Sequence, residues 1–136
     1  PSRKMSKSRP AGCLFIDDET EAIKKKIMSA VTDSGSEIRY DEKNKAGISN
    51  LLLIAHALTG VAISKLEEKF AGIQYGKFKS AVTEIVADHF GSYRKKKKTL
   101  LGSPSKIVAE FKKGGIEAKK IAEKKMEYVR DKIGLF

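Results

Sequence analysis

From Ile107 to Ile133 the apolar side chains recur at intervals of 4, 7, 4, 7 and 4: Ile107, Phe111, Ala118, Ala122, Val129 and Ile133. At about 100° per residue these positions share one arc of a helix, and the period-two alternation of a half-buried strand is absent. Lys106, Lys112, Lys113, Lys119, Lys120 and Lys124 take the opposite arc. Ser103 as N-cap and Pro104 at the first helical position supply a start, and Gly134 supplies a stop. Gly114 and Gly115 fall in the middle. Each costs roughly 0.5–1 kcal/mol relative to Ala in a helix interior, which predicts a kink or a close approach by another backbone there.

The same period recurs upstream. Asp17 and Asp18 are good N-cap residues, and Glu19 and Glu21 put negative charge in the first turn of a helix carrying Ile23, Ile27, Ala30 and Val31. That helix is expected to end near Thr32. A second, from Ile48 to Thr59, is apolar almost all round, which predicts a central buried helix closed by Gly60. A short helix is expected over Ile63–Phe70, with Ser64 and Glu67 spaced as a capping box. Gly72 and Gly76 bracket a turn. A long helix, Gly76 to Leu101, then carries Phe78, Val82, Ile85, Val86, Phe90 and Tyr93 as its apolar stripe. The fold class is therefore all-α, about five helices joined by short loops. Residues 1–16 have loop composition: Pro1, Ser2, Ser6, Ser8, Pro10 and Gly12 with four bases and no acid. Cys13–Ile16 reads as a strand stub or a segment packed on the next helix.

At 136 residues the chain fits one ordinary domain, and 40% hydrophobic against 33% charged residues is lean for a thick sheet. The single cysteine, Cys13, excludes an internal disulfide framework and a Cys-based zinc site, and a reducing cytoplasm is the expected home. No apolar run reaches the length of a bilayer span, so no membrane partner is expected. Charge is uneven. Residues 1–60 hold 10 bases and 8 acids, residues 61–90 hold 4 and 4, and residues 91–136 hold 14 and 5, so nearly all of the net +11 lies in the last third. Arg94, Lys95, Lys96, Lys97 and Lys98 form its densest run. Such asymmetry is the footprint of a surface that meets a polyanion. A solvated, lysine-rich face that also complements a helix dipole accounts for the run equally well.

Signals for catalysis are sparse. His56 and His89 each lie inside a predicted helix with no Cys partner and no metal-ligand spacing, so both read as packing or surface residues, and no metal is expected. No nucleophile elbow and no Gly-x₄-Gly-Lys-Ser/Thr loop is present. One short segment stands apart. Lys4-Met5-Ser6-Lys7-Ser8 alternates two lysines with two hydroxyls in a loop, and ammonium and hydroxyl groups suit phosphate. Read by itself, a motif of only five residues favours a basic disordered tail.

Those five residues match, letter for letter, the second signature of class I aminoacyl-tRNA synthetases. Ala30-Val31-Thr32-Asp33-Ser34, Ile38-Arg39-Tyr40-Asp41, Gly47-Ile48-Ser49-Asn50-Leu51-Leu52, Thr59-Gly60 and Tyr75-Gly76-Lys77-Phe78-Lys79 follow in order. Together they resemble the C-terminal part of bacterial-type tryptophanyl-tRNA synthetases, and the likeness runs over essentially the whole chain. Arg9 stands where the family often has Asp, and the lysine run 95–98 is denser than in the family.

The resemblance implies a division into residues 1–16, the signature loop and a connecting segment of a Rossmann-type catalytic domain, and residues 17–136, a helical anticodon-binding domain. It implies that Lys4, Met5, Ser6, Lys7 and Ser8 form the catalytic, ATP-binding signature, with Lys4 and Lys7 stabilising charge that develops on pyrophosphate and Ser6 and Ser8 adding hydrogen bonds and helping to set the loop geometry. ATP and Mg²⁺ would be the parent enzyme's cofactors, and tryptophan and tRNA(Trp) its partners, with no DNA. The parent would be a homodimer held together largely by the catalytic domain. The His-x-Gly-His signature of that domain is absent from this sequence, so the chain reads as a C-terminal fragment, inactive alone. Two other readings fit the physical features: a stand-alone basic helical RNA-binding module, and a structural helical protein whose lysines are merely solvated.

Overall fold

A computed structural model describes residues 10–135, and among these it contains six α-helices, a 3₁₀ turn at Pro10–Gly12 and no strand. The helices are α1 (Thr20–Met28), α2 (Ala46–Thr59), α3 (Ile63–Lys69), α4 (Tyr75–His89), α5 (Gly91–Leu101) and α6 (Pro104–Ile133). The all-α expectation holds. The count exceeds five because the long helix expected over Gly76–Leu101 is two. Phe90, with φ −92° and ψ 2°, leaves helical geometry, and Gly91 starts a new helix.

The chain divides into two compact units, residues 1–95 and 96–136. The first contains the core. α4 packs on α1 and on α2, and α3 packs on α2. Ile23 and Ile27 of α1, Ile48, Leu51, Leu52 and Ala55 of α2, Leu66 of α3, and Phe78, Val82 and Val86 of α4 are buried together. Phe70 meets Phe78 edge-on, with ring centroids 5.1 Å apart. α2 is not buried all round. Leu53 is 39% exposed, because α2 turns only one face to α3 and α4. Gly47 lies in its first turn, where an added Cβ would stand 2.1 Å from the Val31 carbonyl oxygen, so glycine is what admits that close crossing.

Several termini differ from expectation for one shared reason: side chains that suit a cap are taken by tertiary partners. α1 begins at Thr20 and ends at Met28, inside the span Asp17–Thr32. Asp18 accepts from the Phe15 amide at 2.9 Å and pairs with Lys26 at 2.5 Å, which ties the segment before α1 back onto it. Cys13 is buried and Leu14 packs on the core while Ile16 is exposed, so the start of Cys13–Ile16 is a packed segment and no part of it is a strand. The Ser64–Glu67 capping box does not form. Glu67 instead accepts from the Tyr40 amide at 2.6 Å, across 27 residues of sequence. Beyond Met28 the chain is fastened by Lys79, a largely buried side chain on α4. Its ammonium donates to the carbonyls of Ala30 at 2.7 Å and Met28 at 3.3 Å. A cation at a helix C-terminus is favourable, and here it also satisfies otherwise orphaned acceptors. Gly60 closes α2 in the left-handed conformation, φ 72°.

In the second unit, α6 runs 30 residues from Pro104, with Ser103 preceding it and Gly134 (φ 72°) ending it. It passes through Gly114 and Gly115 without interruption, and a Cβ at either would meet nothing within 4 Å. The close backbone approach expected there is absent. No residue of α6 is buried: Phe111 is 76% exposed and Ile121 74%. No single helix among the described residues is long and apolar enough to cross a membrane.

Candidate nucleic-acid interface

The signature Lys4-Met5-Ser6-Lys7-Ser8 lies outside the described residues. The basic run lies within them. Arg94 through Lys98 occupy the middle and last turn of α5, which has no acidic residue in its first turn. Lys95, Lys96, Lys97 and Lys98 are exposed, while Arg94 is partly buried. Only Lys98 falls in the last turn. Favourable interaction with the helix dipole fades within that turn, so it accounts for Lys98 and leaves Lys95, Lys96 and Lys97 without that rationale. Four consecutive lysines cannot share one helical face. They surround the helix with positive charge, which suits a backbone contact better than a bidentate reading of one group.

Arg94 is held differently from the lysines. Its Nη2 donates to the Ala87 carbonyl at 2.5 Å, which pins the guanidinium across the α4–α5 junction. Beside it, His89, Phe90 and Tyr93 form a short aromatic series, with centroids 4.8 Å and 6.0 Å apart. Tyr93 is 57% exposed. The apolar spacing puts it on a continuous buried stripe, and the break at Phe90 turns it outward instead. An exposed aromatic next to a basic run is the combination used to stack unpaired bases. No signal in the sequence announces that exposure, since it follows from a single non-helical residue.

A second polar cluster joins the loop after α1 to α4. The Tyr75 hydroxyl sits 2.9 and 3.1 Å from the two Asp33 carboxylate oxygens and 3.1 Å from the Glu37 carbonyl. Lys45 donates to Tyr75 at 3.0 Å and pairs with Asp33 at 3.1 Å. Burial by itself would raise the Asp33 carboxyl, but hydrogen bonds from Tyr75, Lys45 and the Gly35 amide, with the Lys45 charge, hold it below the usual carboxylate range. The bond to Tyr75, then that to Asp33, raises Lys45. Burial, chiefly, raises Tyr75. All three shifts move away from neutrality, so the group is a fixed network and not an acid–base pair. His56 likewise has a structural partner, its Nδ1 lying 2.7 Å from the Val61 carbonyl.

The sequence model of the family described as "tRNA synthetases class I (W and Y)" matches residues 1–91. The chain belongs to that family. It is 40% identical over 136 residues to tryptophan–tRNA ligase 2 of Streptomyces avermitilis, covering 98% of this chain and 40% of that protein. It is 36% identical over 137 residues to the tryptophan–tRNA ligase of Bacillus anthracis, covering 99% and 41%. The crystal structure of tryptophanyl-tRNA synthetase from Mycoplasma pneumoniae matches with a TM-score of 0.75 and 28% identity, over 99% of this chain and 43% of that one. The chain thus spans about 40% of the length of the curated relatives it matches, and corresponds to their C-terminal portion. Its helical fold agrees with that placement.

Proposed function

We propose that this chain acts as the C-terminal portion of a tryptophan–tRNA ligase, with residues 17–136 contributing to the hold on tRNA(Trp). The observation that supports it most is likeness to tryptophan–tRNA ligases along 98% of the chain, at 40% identity. The physical features agree. The net positive charge is concentrated after residue 90, the lysines of α5 are exposed, and Tyr93 presents a ring beside them. In this reading Lys95, Lys96, Lys97 and Lys98 meet phosphates, and unstacked bases are read by stacking and edge contacts.

Residues 1–16 are the connection to the catalytic part. Lys4 and Lys7 place fixed positive charge where pyrophosphate departs, with Met5, Ser6 and Ser8 setting the loop. Preorganised charge of this kind usually supplies most of the transition-state stabilisation in such chemistry. ATP with Mg²⁺ would supply the adenylyl group that activates the tryptophan carboxylate, with pyrophosphate as the leaving group. The tryptophan and adenine pockets are proposed to belong to the remaining part of the parent enzyme, a cytoplasmic homodimer. This chain by itself should therefore catalyse no tryptophan-dependent ATP–pyrophosphate exchange, and measurable exchange by the purified chain would overturn that assignment.

The tRNA contact is tested by changing Lys95, Lys96, Lys97 and Lys98 together to Gln, which keeps side-chain length and helix propensity. Each lysine–phosphate pairing removed should flatten the slope of log K against log salt by about 0.7–0.9. A slope identical to that of the unmodified chain, in a titration with tRNA(Trp) from low to high salt, would return the run to a solvated surface.

A further inference from the structure

No residue of α6 is buried, yet Ile107, Phe111, Ala118, Ala122, Val129 and Ile133 line one arc of it. Phe111 is 76% exposed and Ile133 62%. Leu100 of α5 and the first half of that arc line a groove of about 880 Å³, together with Gly114 and Gly115. A contiguous apolar face left open to water marks an interaction surface, and one sustained over a whole helix suits a helix–helix seam. Three features say what covers it. The first is spacing. The intervals 4, 7, 4, 7 and 4 read the same from either end. A second copy of α6 laid antiparallel therefore sets Ile107 against the second copy's Ile133, Phe111 against its Val129 and Ala118 against its Ala122. Every apolar residue meets another, which is the self-complementarity that a twofold interface demands. The two small alanines fall beside the axis, where the helices come closest.

The second feature is the glycine pair. The same register lays the second copy's Lys125 over Gly114 and its Met126 over Gly115, two long side chains opposite two residues that have none. In the single chain a Cβ at either glycine meets nothing within 4 Å, so the close approach implied by mid-helix glycines comes from outside the chain.

The third is charge. At about 100° per residue, Lys125 and Lys132 are the two cations that fall within the apolar arc. Their ammonium groups lie 5.2 and 5.6 Å from the centroid of the Tyr128 ring, which draws both to one edge of the stripe. Glu110 and Glu117 occupy that same edge. In an antiparallel pair like edges meet, so Lys132 reaches the second copy's Glu110 and Lys125 its Glu117, and the twofold axis repeats both pairs. A parallel pair would set Lys125 against its own copy and glycine against glycine, leaving a like-charge contact and a gap. We propose that α6 is a self-recognition helix through which two copies of this chain pair antiparallel, with the twofold axis level with Lys120. The contact is separate from the homodimer proposed for the catalytic part and does not depend on the tRNA reading. Each chain carries a net +11, so the seam forms against long-range repulsion, and its dissociation constant is expected on the order of 10 μM.

The test is sedimentation velocity of the 136-residue chain over a concentration series, with two variants that should fail alone and succeed together. Glu117→Lys and Lys125→Glu each set like charges against one another twice in a homodimer, and each should weaken self-association about tenfold. Mixed in equal amounts, the two variants restore opposite charges at every one of these contacts, and the dimer should return at the unmodified affinity. A general charge effect predicts a different pattern, because Lys125→Glu lowers the net charge and would then tighten the dimer. Far-UV circular dichroism checks that each variant keeps its helices. A mass that stays monomeric at about 100 μM, well above the expected dissociation constant, overturns the pairing. A dimer that ignores both variants, or a mixture no tighter than its components, places the self-contact on another surface and overturns it equally.

Discussion

Residues 20–89 and residues 104–133 are both helical, yet they are helical for different reasons. The first region is four short helices, and α3 has only 7 residues. Helices that short do not persist alone in water, so they exist because Ile23, Ile48, Leu52, Leu66 and Phe78 are removed from solvent together. The second is one helix of 30 residues with no buried side chain, long enough for propensity and local pairs to hold it. Lys119 pairs with Glu123 at 3.5 Å and Lys120 with Glu117 at 3.1 Å. Exposed helix pairs of this kind contribute roughly 0.3–0.5 kcal/mol each. The apolar positions 107, 118 and 129, and 111, 122 and 133, repeat every 11 residues, which keeps the stripe nearly straight along the helix. An amphipathic pattern therefore specifies a helix in both regions but specifies burial only in the first.

The comparison breaks most sharply at two phenylalanines. Phe78 is fully buried and edge-on to Phe70, whereas Phe111 is 76% exposed. Phe78→Ala should cost about 3–5 kcal/mol, the transfer of the ring plus the cavity left behind. Phe111→Ala should change stability by no more than about 0.5 kcal/mol, as exposed substitutions do. Urea unfolding followed at constant m-value measures both. Equal losses would mean that α6 shares the core's cooperativity.

A smaller effect separates the first region by pH. Asp33 fixes the loop between α1 and α2 through Tyr75 and Lys45, and its carboxyl is held below the ordinary value. The folded value being the lower one, this contribution is complete above the unfolded carboxyl value of about 3.9 and is lost as pH falls through the folded value. Asp33→Asn should thus destabilise the core at neutral pH, and the difference from the unmodified chain should shrink below about pH 4. Thermal melts at pH 7, 4 and 3 would show it. A difference that stayed constant to pH 3 would place the effect in packing and not in charge.

Legibility in the sequence follows the same division. The helical class, the stops at Gly60 and Gly134 and the core positions Ile23 and Ile27 of α1 and those of α2 and α4 are readable, because period 3.6 and left-handed glycines are local signals, whereas Ala30 and Val31, read on the same stripe, lie beyond α1 and Val31 is exposed. The starts of α1 and α3 are not, since Asp18 and Glu67 look like capping residues until the fold brings the Phe15 and Tyr40 amides to them. The break at Phe90 is hidden because the apolar spacing runs through it unbroken. Lys79 would be placed on any polar face, and only the folded chain shows its ammonium at the end of α1. At the candidate site, the charge of residues 94–98 is evident from composition. The pinning of Arg94 and the outward turn of Tyr93 depend on the α4–α5 junction, which no local pattern encodes.

The smallest effect is a gain. Gly47 cannot carry a side chain, because its Cβ would collide with the Val31 carbonyl; Gly114 and Gly115 can, since nothing lies within 4 Å of theirs. Neither of the latter has a positive φ, so alanine adopts their backbone without strain. Each replacement should stabilise α6 by roughly 0.5–1 kcal/mol, mostly by narrowing the unfolded ensemble. Where that gain registers is the informative part. If α6 unfolds independently of the core, the double variant Gly114→Ala, Gly115→Ala should slow amide exchange only between residues 104 and 133 and leave the core's unfolding midpoint unchanged. If the core midpoint rises with it, the two regions are one cooperative unit in solution, and the lack of burial along α6 is then not a lack of energetic coupling.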